Sequence, residues 1–565
     1  MPSRAATPAP IRHPAHVRGA GSPVAPPADA PFGSSRRLPL MSALALLLAL
    51  LACATARAAD ASLQAPVVLD SGPVTGLALP GLHAYLGIPY AAPPVGALRW
   101  RPPQPPAAWS EPRPCTAFGP GCPQPAQKPE GRFSEDCLTL NVWTPAASPG
   151  GKLPVMVWVH GGGFNFGASS QPEYDGAELA RRGVVTVTLN YRLGPLGFLV
   201  HPALDGESSH GVSGNYGLLD QMAGLAWVRR NIAVFGGDPD NVTLFGQSAG
   251  SRSVSLQLLS PLSEGLFRRA IAQSGGPVIG SEYLSPVFDG DRPRAARMGL
   301  ELARRLGADG APDPLAVLRA ATADEVVRAA ACDTGLFAEE IFFSPVFDGW
   351  ALPADPGAAI ASGRMHPVPV MTGSTANEGA AYLGREKNLD RARYETFLKS
   401  RFGARWREAA AAFPARADAD VPGAIDRVVT VGANVEPARF MARSQASRGR
   451  KAWLFHFSRV PGTDLARRFG AHHGVDLAYV FGNLEPPQAY DATDRELSRQ
   501  VMDYWTNFAR TGNPNGPGLP PWPACRPGSE PVMDFGDAPR LRRELFPRQA
   551  DFVAGVSRFP REARP

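Results

Sequence analysis

Residues 241–259 read NVTLFGQSAGSRSVSLQLL and carry a Gly-x-Ser-x-Gly pattern at 246–250, between two segments of different character. The preceding residues, 241–245, are typical of a strand, and apolar residues recur at helical spacing in 251–259. A strand, a sharp turn that carries a serine, and a helix form a nucleophile elbow, whose glycines let neighbouring backbones approach closely. The segment predicts an α/β fold with Ser248 as nucleophile. A glycine-rich turn with an incidental serine is the alternative.

Further strand-like runs lie on both sides of this segment, at residues 154–160, 184–191, 368–373 and 453–457. Their hydrophobicity is continuous rather than alternating, which indicates strands covered on both faces, as in a parallel sheet. Apolar residues at helical spacing fill 215–235 and complete a strand–helix–strand unit. We expect a mostly parallel central sheet flanked by helices. The helix- and loop-rich stretches 280–365 and 385–450 are predicted to be large helical insertions that cap a sheet edge.

A second glycine-rich motif, HGGGF at 160–164, follows the run 154–160. Such a motif lets backbone N–H groups point into a cavity, where they stabilise the negative oxygen that forms on an attacked carbonyl. We assign Gly162, Gly163 and Ala249 as the donors of this oxyanion hole; a flexible glycine loop is the alternative. The order of the two motifs is that of the α/β-hydrolase plan, which places an acid and then a histidine after the serine.

The basic character of the chain belongs largely to its first 58 residues. The 57 Lys and Arg against 51 Asp and Glu give a net charge of +6, yet residues 1–58 hold six arginines and one acid, which leaves 51 − 50 = +1 for residues 59–565. The body therefore has no charge excess of the kind that nucleic-acid binding requires. With 44% hydrophobic residues it has ample material for a large buried core.

Residues 1–58 are predicted to be a disordered leader followed by a secretory signal peptide. Arg36 and Arg37 precede the apolar run 41–52, and the Ala-Arg-Ala site at 56–58 follows it. This run is short for a membrane span, and no later run reaches that length. We expect a mature, secreted or periplasmic chain without a transmembrane segment, forming one domain from Ala59 to residue 565. Sec or twin-arginine export, and lipid attachment at Cys53, remain open alternatives.

The cysteines and histidines do not indicate a metal site. Five cysteines follow the predicted cleavage site, and their spacing matches neither a zinc site nor a CxxC motif; they are Cys115, Cys122, Cys137, Cys332 and Cys525. No HExxH or HxH spacing occurs among the histidines. We expect a disulfide in an oxidising compartment, an odd thiol, and no metal or organic cofactor.

The chain resembles the type-B carboxylesterases, the family of bacterial para-nitrobenzyl esterases and cholinesterases, from about residue 65 to 550. The matching segments are YLGIPYAAPP at 85–94, SEDCLTLNVW at 134–143, HGGGF at 160–164, NYRLG at 190–194, residues 214–250, SPVFDG at 344–349 and WTNFARTGNPN at 505–515. The resemblance implies an α/β-hydrolase fold and a serine enzyme that hydrolyses small-molecule carboxylic esters. It does not define the oligomeric state.

The resemblance also implies the roles of further residues. Glu378 matches the triad acid and His473 the triad base; a solvated loop acid and the adjacent His472 are the respective alternatives. Cys122 and Cys137 match the cysteines of a family disulfide. The segment between them is short and has Phe133 as its one aromatic residue, so it lacks the tryptophan with which cholinesterases bind choline.

Two other functions are kept as alternatives. A specialised hydrolase of a bulky natural, toxin or polymer ester would use the same chemistry and differ only in the shape of its pocket. Phe164 and Tyr382 are candidates for lining that pocket. A non-enzymatic adhesion or binding protein on the same fold predicts loss of a triad residue, and none is lost in this sequence.

Overall fold

A computed structural model describes residues 66–125, 132–146, 149–276, 292–331, 343–384 and 386–556. The predicted leader and signal peptide, Cys53 and Cys332 lie outside these residues. Within the described ranges, no helix combines the length and hydropathy needed to cross a bilayer.

The strands form one large sheet and one small sheet. In chain order they are β1 (Val67–Val68), β2 (Pro73–Thr75), β3 (Leu77–Leu79), β4 (Leu82–Pro89), β5 (Arg113–Pro114), β6 (Thr139–Thr144), β7 (Leu153–Val159), β8 (Val185–Leu189), β9 (Gly237–Gln247), β10 (Arg269–Gln273), β11 (Val370–Thr375), β12 (Ala452–Phe457), β13 (Val532–Phe535) and β14 (Pro539–Arg542). The large sheet has the order β14-β13-β12-β11-β10-β9-β7-β8-β6-β4-β3, and the small one β1-β2-β5. In this spatial order, each strand from β13 through β8 pairs in parallel with the next. The pairs at the two ends of the sheet, β14 with β13 and β8-β6-β4-β3, are antiparallel.

The α-helices are α1 (Ala177–Arg181), α2 (Gly194–Phe198), α3 (Pro202–Glu207), α4 (Tyr216–Asn231), α5 (Ala249–Gln257), α6 (Arg292–Arg305), α7 (Pro314–Ala320), α8 (Ala323–Ala329), α9 (Pro356–Ala361), α10 (Ala380–Leu383), α11 (Arg391–Phe402), α12 (Trp406–Ala412), α13 (Val421–Val429), α14 (Glu436–Ala446), α15 (Asp464–Phe469), α16 (Leu477–Phe481), α17 (Ala492–Thr511) and α18 (Pro547–Val556). A π-helical stretch, Thr430–Val435, joins α13 to α14.

The sheet is buried on both faces, which confirms the prediction from continuous apolar runs. Side chains alternate across a strand, so Val157 of β7 packs into one core with Leu225 of α4. Its neighbour Trp158 packs into a second core with Phe508 of α17. A mostly parallel sheet between helical layers is the predicted fold class.

The helical insertions differ in place from the prediction. The first, which includes α6 to α9, connects β10 to β11, and the second, which includes α10 to α14, connects β11 to β12. These three strands are adjacent in the interior of the sheet, not at its edge. Neighbouring parallel strands need a crossover connection, and the insertions have expanded these two crossovers.

Candidate active site

The Gly-x-Ser-x-Gly segment forms the strand–turn–helix unit that its sequence predicts. Strand β9 ends at Gln247 and helix α5 begins at Ala249, while Ser248 between them has φ 60° and ψ −123°. A positive φ is strained for a residue with a Cβ atom, and such strain concentrates at functional sites. A Cβ on Gly250 would lie 2.0 Å from the Val159 carbonyl oxygen. This glycine is required because the first turn of α5 packs against the end of β7.

The HGGGF loop lies directly against this turn. A Cβ on Gly161 would lie 3.0 Å from the Ser248 Cβ, and one on Gly162, where φ is 107°, would lie 1.9 Å from the Phe166 carbonyl oxygen. Within the described residues, the N–H groups of Gly162, Gly163 and Ala249 donate to no protein acceptor. The loop and the start of α5 thus present unpaired donors beside the serine.

Glu378 lies in the connection from β11 to β12 and His473 in the connection from β12 to β13, and the two side chains meet in the site. Glu378 follows β11 and is fully buried; its Oε2 accepts a hydrogen bond from His473 Nδ1 at 2.5 Å, and its Oε1 accepts one from the Thr375 N–H at 2.7 Å. Burial alone would raise the pKa of Glu378, but attraction to His473 and these hydrogen bonds hold it below its usual value. The carboxylate is therefore ionised, and the Nδ1 of His473 carries a proton.

Nε2, the second ring nitrogen of His473, contacts Gln247, the residue before Ser248. Gln247 Nε2 lies 3.1 Å from His473 Nε2. An amide nitrogen always carries hydrogens, so it donates to the lone pair that Nε2 has in the neutral ring. No hydrogen bond joins the Ser248 hydroxyl to this ring in the part of the chain that the structure describes. Sequence reasoning missed Gln247, whose signal was its place inside the Gly-x-Ser-x-Gly motif.

His472, the alternative base, makes no hydrogen bond with Glu378 among the described residues. Its Nδ1 contacts the His473 carbonyl oxygen at 3.0 Å, and burial lowers its pKa. The structure pairs Glu378 with His473 and not with His472, as the resemblance implies.

Asp476, three residues after His473, is a buried acid that sequence reasoning also missed. It is 1% exposed and its Oδ2 accepts a hydrogen bond from Gln273 Nε2 at 2.8 Å. Burial raises its pKa to about 6. Gln273 ends β10 in register with Gln247 of β9, so two neighbouring strand ends carry glutamines toward this region.

Phe164 and Tyr382, the two aromatic residues predicted to line the pocket, lie in different environments. Phe164 is fully buried and packs edge-to-face on Phe198, so it belongs to the core and not to the pocket wall. Tyr382 is 42% exposed, and its ring centre lies 6.1 Å from that of His473. Phe166, which follows the glycine motif, is 43% exposed and was not predicted.

The predicted disulfide between Cys122 and Cys137 is present, with the two Cα atoms 5.1 Å apart. Cys115 and Cys525 are buried free thiols. The described residues contain no group of three His, Cys, Asp or Glu side chains placed to hold a metal ion.

Comparisons with known proteins identify the family of the chain. The carboxylesterase family model matches residues 64–553. The fumonisin B1 esterase of Sphingopyxis macrogoltabida is 39% identical over 483 residues, which cover 83% of this chain and 85% of that protein. The para-nitrobenzyl esterase of Bacillus subtilis (strain 168) is 35% identical over 514 residues, which cover 86% of this chain and 99% of that protein.

Solved structures give the same result. A PNB esterase structure superimposes with a TM-score of 0.74 at 34% identity, covering 86% of this chain and 99% of its own. A thermophilic PNB esterase gives 0.74 at 32% identity. The chain therefore belongs to the carboxylesterase family, has the α/β-hydrolase fold and is a carboxylic ester hydrolase.

Proposed function

We propose that the chain is an exported serine carboxylesterase with Ser248 as nucleophile, His473 as general base and Glu378 as the acid that orients it. The observation that carries the proposal is the buried Glu378 carboxylate on His473 Nδ1, with the opposite nitrogen of that ring directed at the residue next to Ser248. An ionised acid on Nδ1 keeps Nε2 free to accept a proton, which is the requirement for a base.

The reaction follows from these positions. When substrate binds, the Ser248 hydroxyl replaces the Gln247 amide as the hydrogen-bond partner of His473 Nε2. This ring nitrogen then removes the hydroxyl proton while Ser248 Oγ attacks the ester carbonyl carbon. The N–H groups of Gly162, Gly163 and Ala249 stabilise the oxyanion. The imidazolium then donates its proton to the leaving alcohol. Water repeats the sequence on the acyl-enzyme and releases the acid.

The substrate we favour is an ester with a bulky apolar part. The half-exposed rings of Phe166, two residues after the glycine motif, and Tyr382, whose ring centre lies 6.1 Å from that of His473, offer apolar surface for such a substrate. The similarity to a protein named for fumonisin B1 supports the specialised hydrolase over a general one. A panel of p-nitrophenyl esters of rising acyl length, with fumonisin B1 and p-nitrobenzyl esters, tests this preference. A preference for acetyl esters over every larger substrate would contradict it.

Export of residues 59–565 as one domain remains part of the proposal. The disulfide between Cys122 and Cys137 supports an oxidising compartment. Mass spectrometry of the exported protein tests the cleavage site: a mature chain that begins near Ala59 agrees with signal cleavage, and a lipid-modified Cys53 contradicts it.

Labelling with diethyl p-nitrophenyl phosphate tests the nucleophile. We expect one phosphoryl group per chain, on the peptide that contains Ser248, and none in Ser248→Ala. Thr243→Val, a change in the same strand β9 at a buried hydroxyl, serves as control and should label fully. A label on any other residue would overturn the assignment.

A further inference from the structure

The carboxylate of Asp426, on α13, holds both neighbours of Glu378. Asp426 is 6% exposed. Its Oδ2 accepts a hydrogen bond from Asn377 Nδ2 at 2.9 Å, and its Oδ1 accepts one from the Gly379 N–H at 2.8 Å. One turn later, Thr430 Oγ1 accepts from the Glu378 N–H at 3.0 Å and lies 3.3 Å from Asp426 Oδ1, to which it donates. Three consecutive residues around the acid are thus fixed by one helix end.

The same arrangement reaches the loop of His473. Asn377 Oδ1 accepts a hydrogen bond from the Ala471 N–H at 3.1 Å, and the Asn377 N–H donates to the Ala471 carbonyl oxygen at 3.0 Å. Because Asp426 binds the amide nitrogen of Asn377, the amide oxygen is directed to Ala471. The Asp426 carboxylate therefore determines the orientation of the Asn377 amide. Through this amide it also sets the distance between the loop that carries Glu378 and the loop that carries His473.

The helix that carries Asp426 also places Thr430 against the loop of Glu378. Residues 426 and 430 are four apart and lie on one helical face, and at Thr430 the helix changes to the π form, a change found often at functional sites. A Cβ on Gly379 would lie 2.9 Å from the Asp426 Cα, so the two backbones meet without room for a side chain. Burial raises the pKa of Asp426, because a carboxylate removed from water is less stable in its charged form.

We infer that Asp426 is a positioning residue for the catalytic acid: acting through Asn377, it sets the position of Glu378 relative to His473. This inference rests on the proposed role of Glu378. It makes the helical insertion between β11 and β12 part of the catalytic apparatus, since its helix fixes the loops that follow β11 and β12.

The test is Asp426→Asn in the full exported chain, assayed with p-nitrophenyl butyrate. The amide loses one acceptor position, so the loop loses one of its anchors. A displacement of the order of 1 Å in a catalytic group can cost about 100-fold, and we expect kcat to fall about 10- to 100-fold while KM changes less than about 2-fold. An unchanged kcat would overturn the inference.

Asp348→Asn is the matched control. Asp348 is 9% exposed and likewise accepts from an asparagine side chain, Asn215 Nδ2 at 2.8 Å, and from the N–H groups of Trp350 and Leu352, both at 2.9 Å. It anchors a loop that carries no triad residue. We expect Asp348→Asn to lower the thermal midpoint and leave kcat within about 2-fold. An equal loss of kcat in both variants would reduce Asp426 to a general structural role and overturn the inference.

A double-mutant cycle with Glu378→Gln separates positioning from stability. If Asp426 acts through the Glu378 carboxylate, Asp426→Asn changes kcat less than about 2-fold once that carboxylate is gone. A full multiplicative loss in the double variant would overturn the inference. If Asp426→Asn does not fold, Asn377→Ala replaces it in the cycle, with the same two outcomes.

Phosphoryl labelling of Ser248 in the wild type distinguishes this inference from the proposed function. An unlabelled Ser248 refutes the proposed function. A labelled Ser248 together with additive Asp426 and Glu378 effects refutes only the positioning role.

Discussion

Replacing Asp476 by Asn should remove a pH-dependent loss of stability. The carboxyl group is 1% exposed, and only its Oδ2 has a hydrogen-bond partner, Gln273, in the described part of the chain; Oδ1 has none. Burial raises the pKa of Asp476 from 3.8 to about 6. An amide keeps the hydrogen bond from Gln273 and carries no charge at any pH.

The size and sign of the effect follow from this shift. A folded-state pKa above the unfolded value means that the protonated form stabilises the fold, so the contribution is complete below pH 3.8 and is lost as the pH rises through about 6. The shift is about two pH units, and each unit corresponds to about 1.4 kcal/mol. As the pH rises through about 6, the free energy of unfolding of the wild type should therefore fall by about 3 kcal/mol through Asp476. That of Asp476→Asn should not show this fall.

Urea unfolding of both proteins at pH 4 and pH 8 measures the difference. We expect the free energy of unfolding of Asp476→Asn, relative to wild type, to rise by about 2 to 3 kcal/mol between these pH values. Asp464→Asn is the control, because that side chain is 96% exposed and should show no such change. A difference between Asp476→Asn and wild type that is the same at both pH values would refute the reasoning.

Three further predictions concern the site and its support. Gln247→Glu places a carboxylate beside His473 Nε2 and favours the protonated ring, so the acid limb of the kcat/KM profile should move about one pH unit or more upward; a superimposable pH profile would contradict this contact. Gly250→Ala puts a Cβ 2.0 Å from the Val159 carbonyl oxygen and should cost about 3 kcal/mol in urea unfolding, whereas Gly206→Ala, with open space at its Cβ, should cost nothing measurable. The double change Cys122→Ser with Cys137→Ser should lower the free energy of unfolding by about 3 kcal/mol, and dithiothreitol should then have no further effect; a larger loss of stability on adding the reductant would point to a second bridge.

The sequence predicts those parts of the molecule that depend on local pattern. The apolar runs gave β7, β8, β9, β11 and β12, with ends shifted by up to four residues, because a strand covered on both faces needs continuous hydrophobicity. Ser248 and the glycine loop could be predicted from the sequence because the close approach of backbones requires glycine at fixed spacings. Glu378 and His473 came from the family resemblance and not from any local signal.

The missed features depend on contacts between distant residues. Asp426 lies 47 residues from Gly379, with which it bonds, and Gln247 lies 226 residues from His473. A carboxylate in an amphipathic helix usually faces solvent, so the sequence does not indicate that the side chain of Asp426 is buried. The order of the strands places the insertions in the sheet interior, and that order cannot be read from the runs one at a time.

A rapid-quench experiment with p-nitrophenyl butyrate tests the central claim most directly. If the Glu378–His473 pair makes Ser248 reactive, the wild type should release a burst of one p-nitrophenolate per chain and carry one butyryl group on the peptide containing Ser248. Ser248→Ala should show neither burst nor acyl group. Steady turnover in Ser248→Ala, or a butyryl group on a different residue of the wild type, would contradict the account.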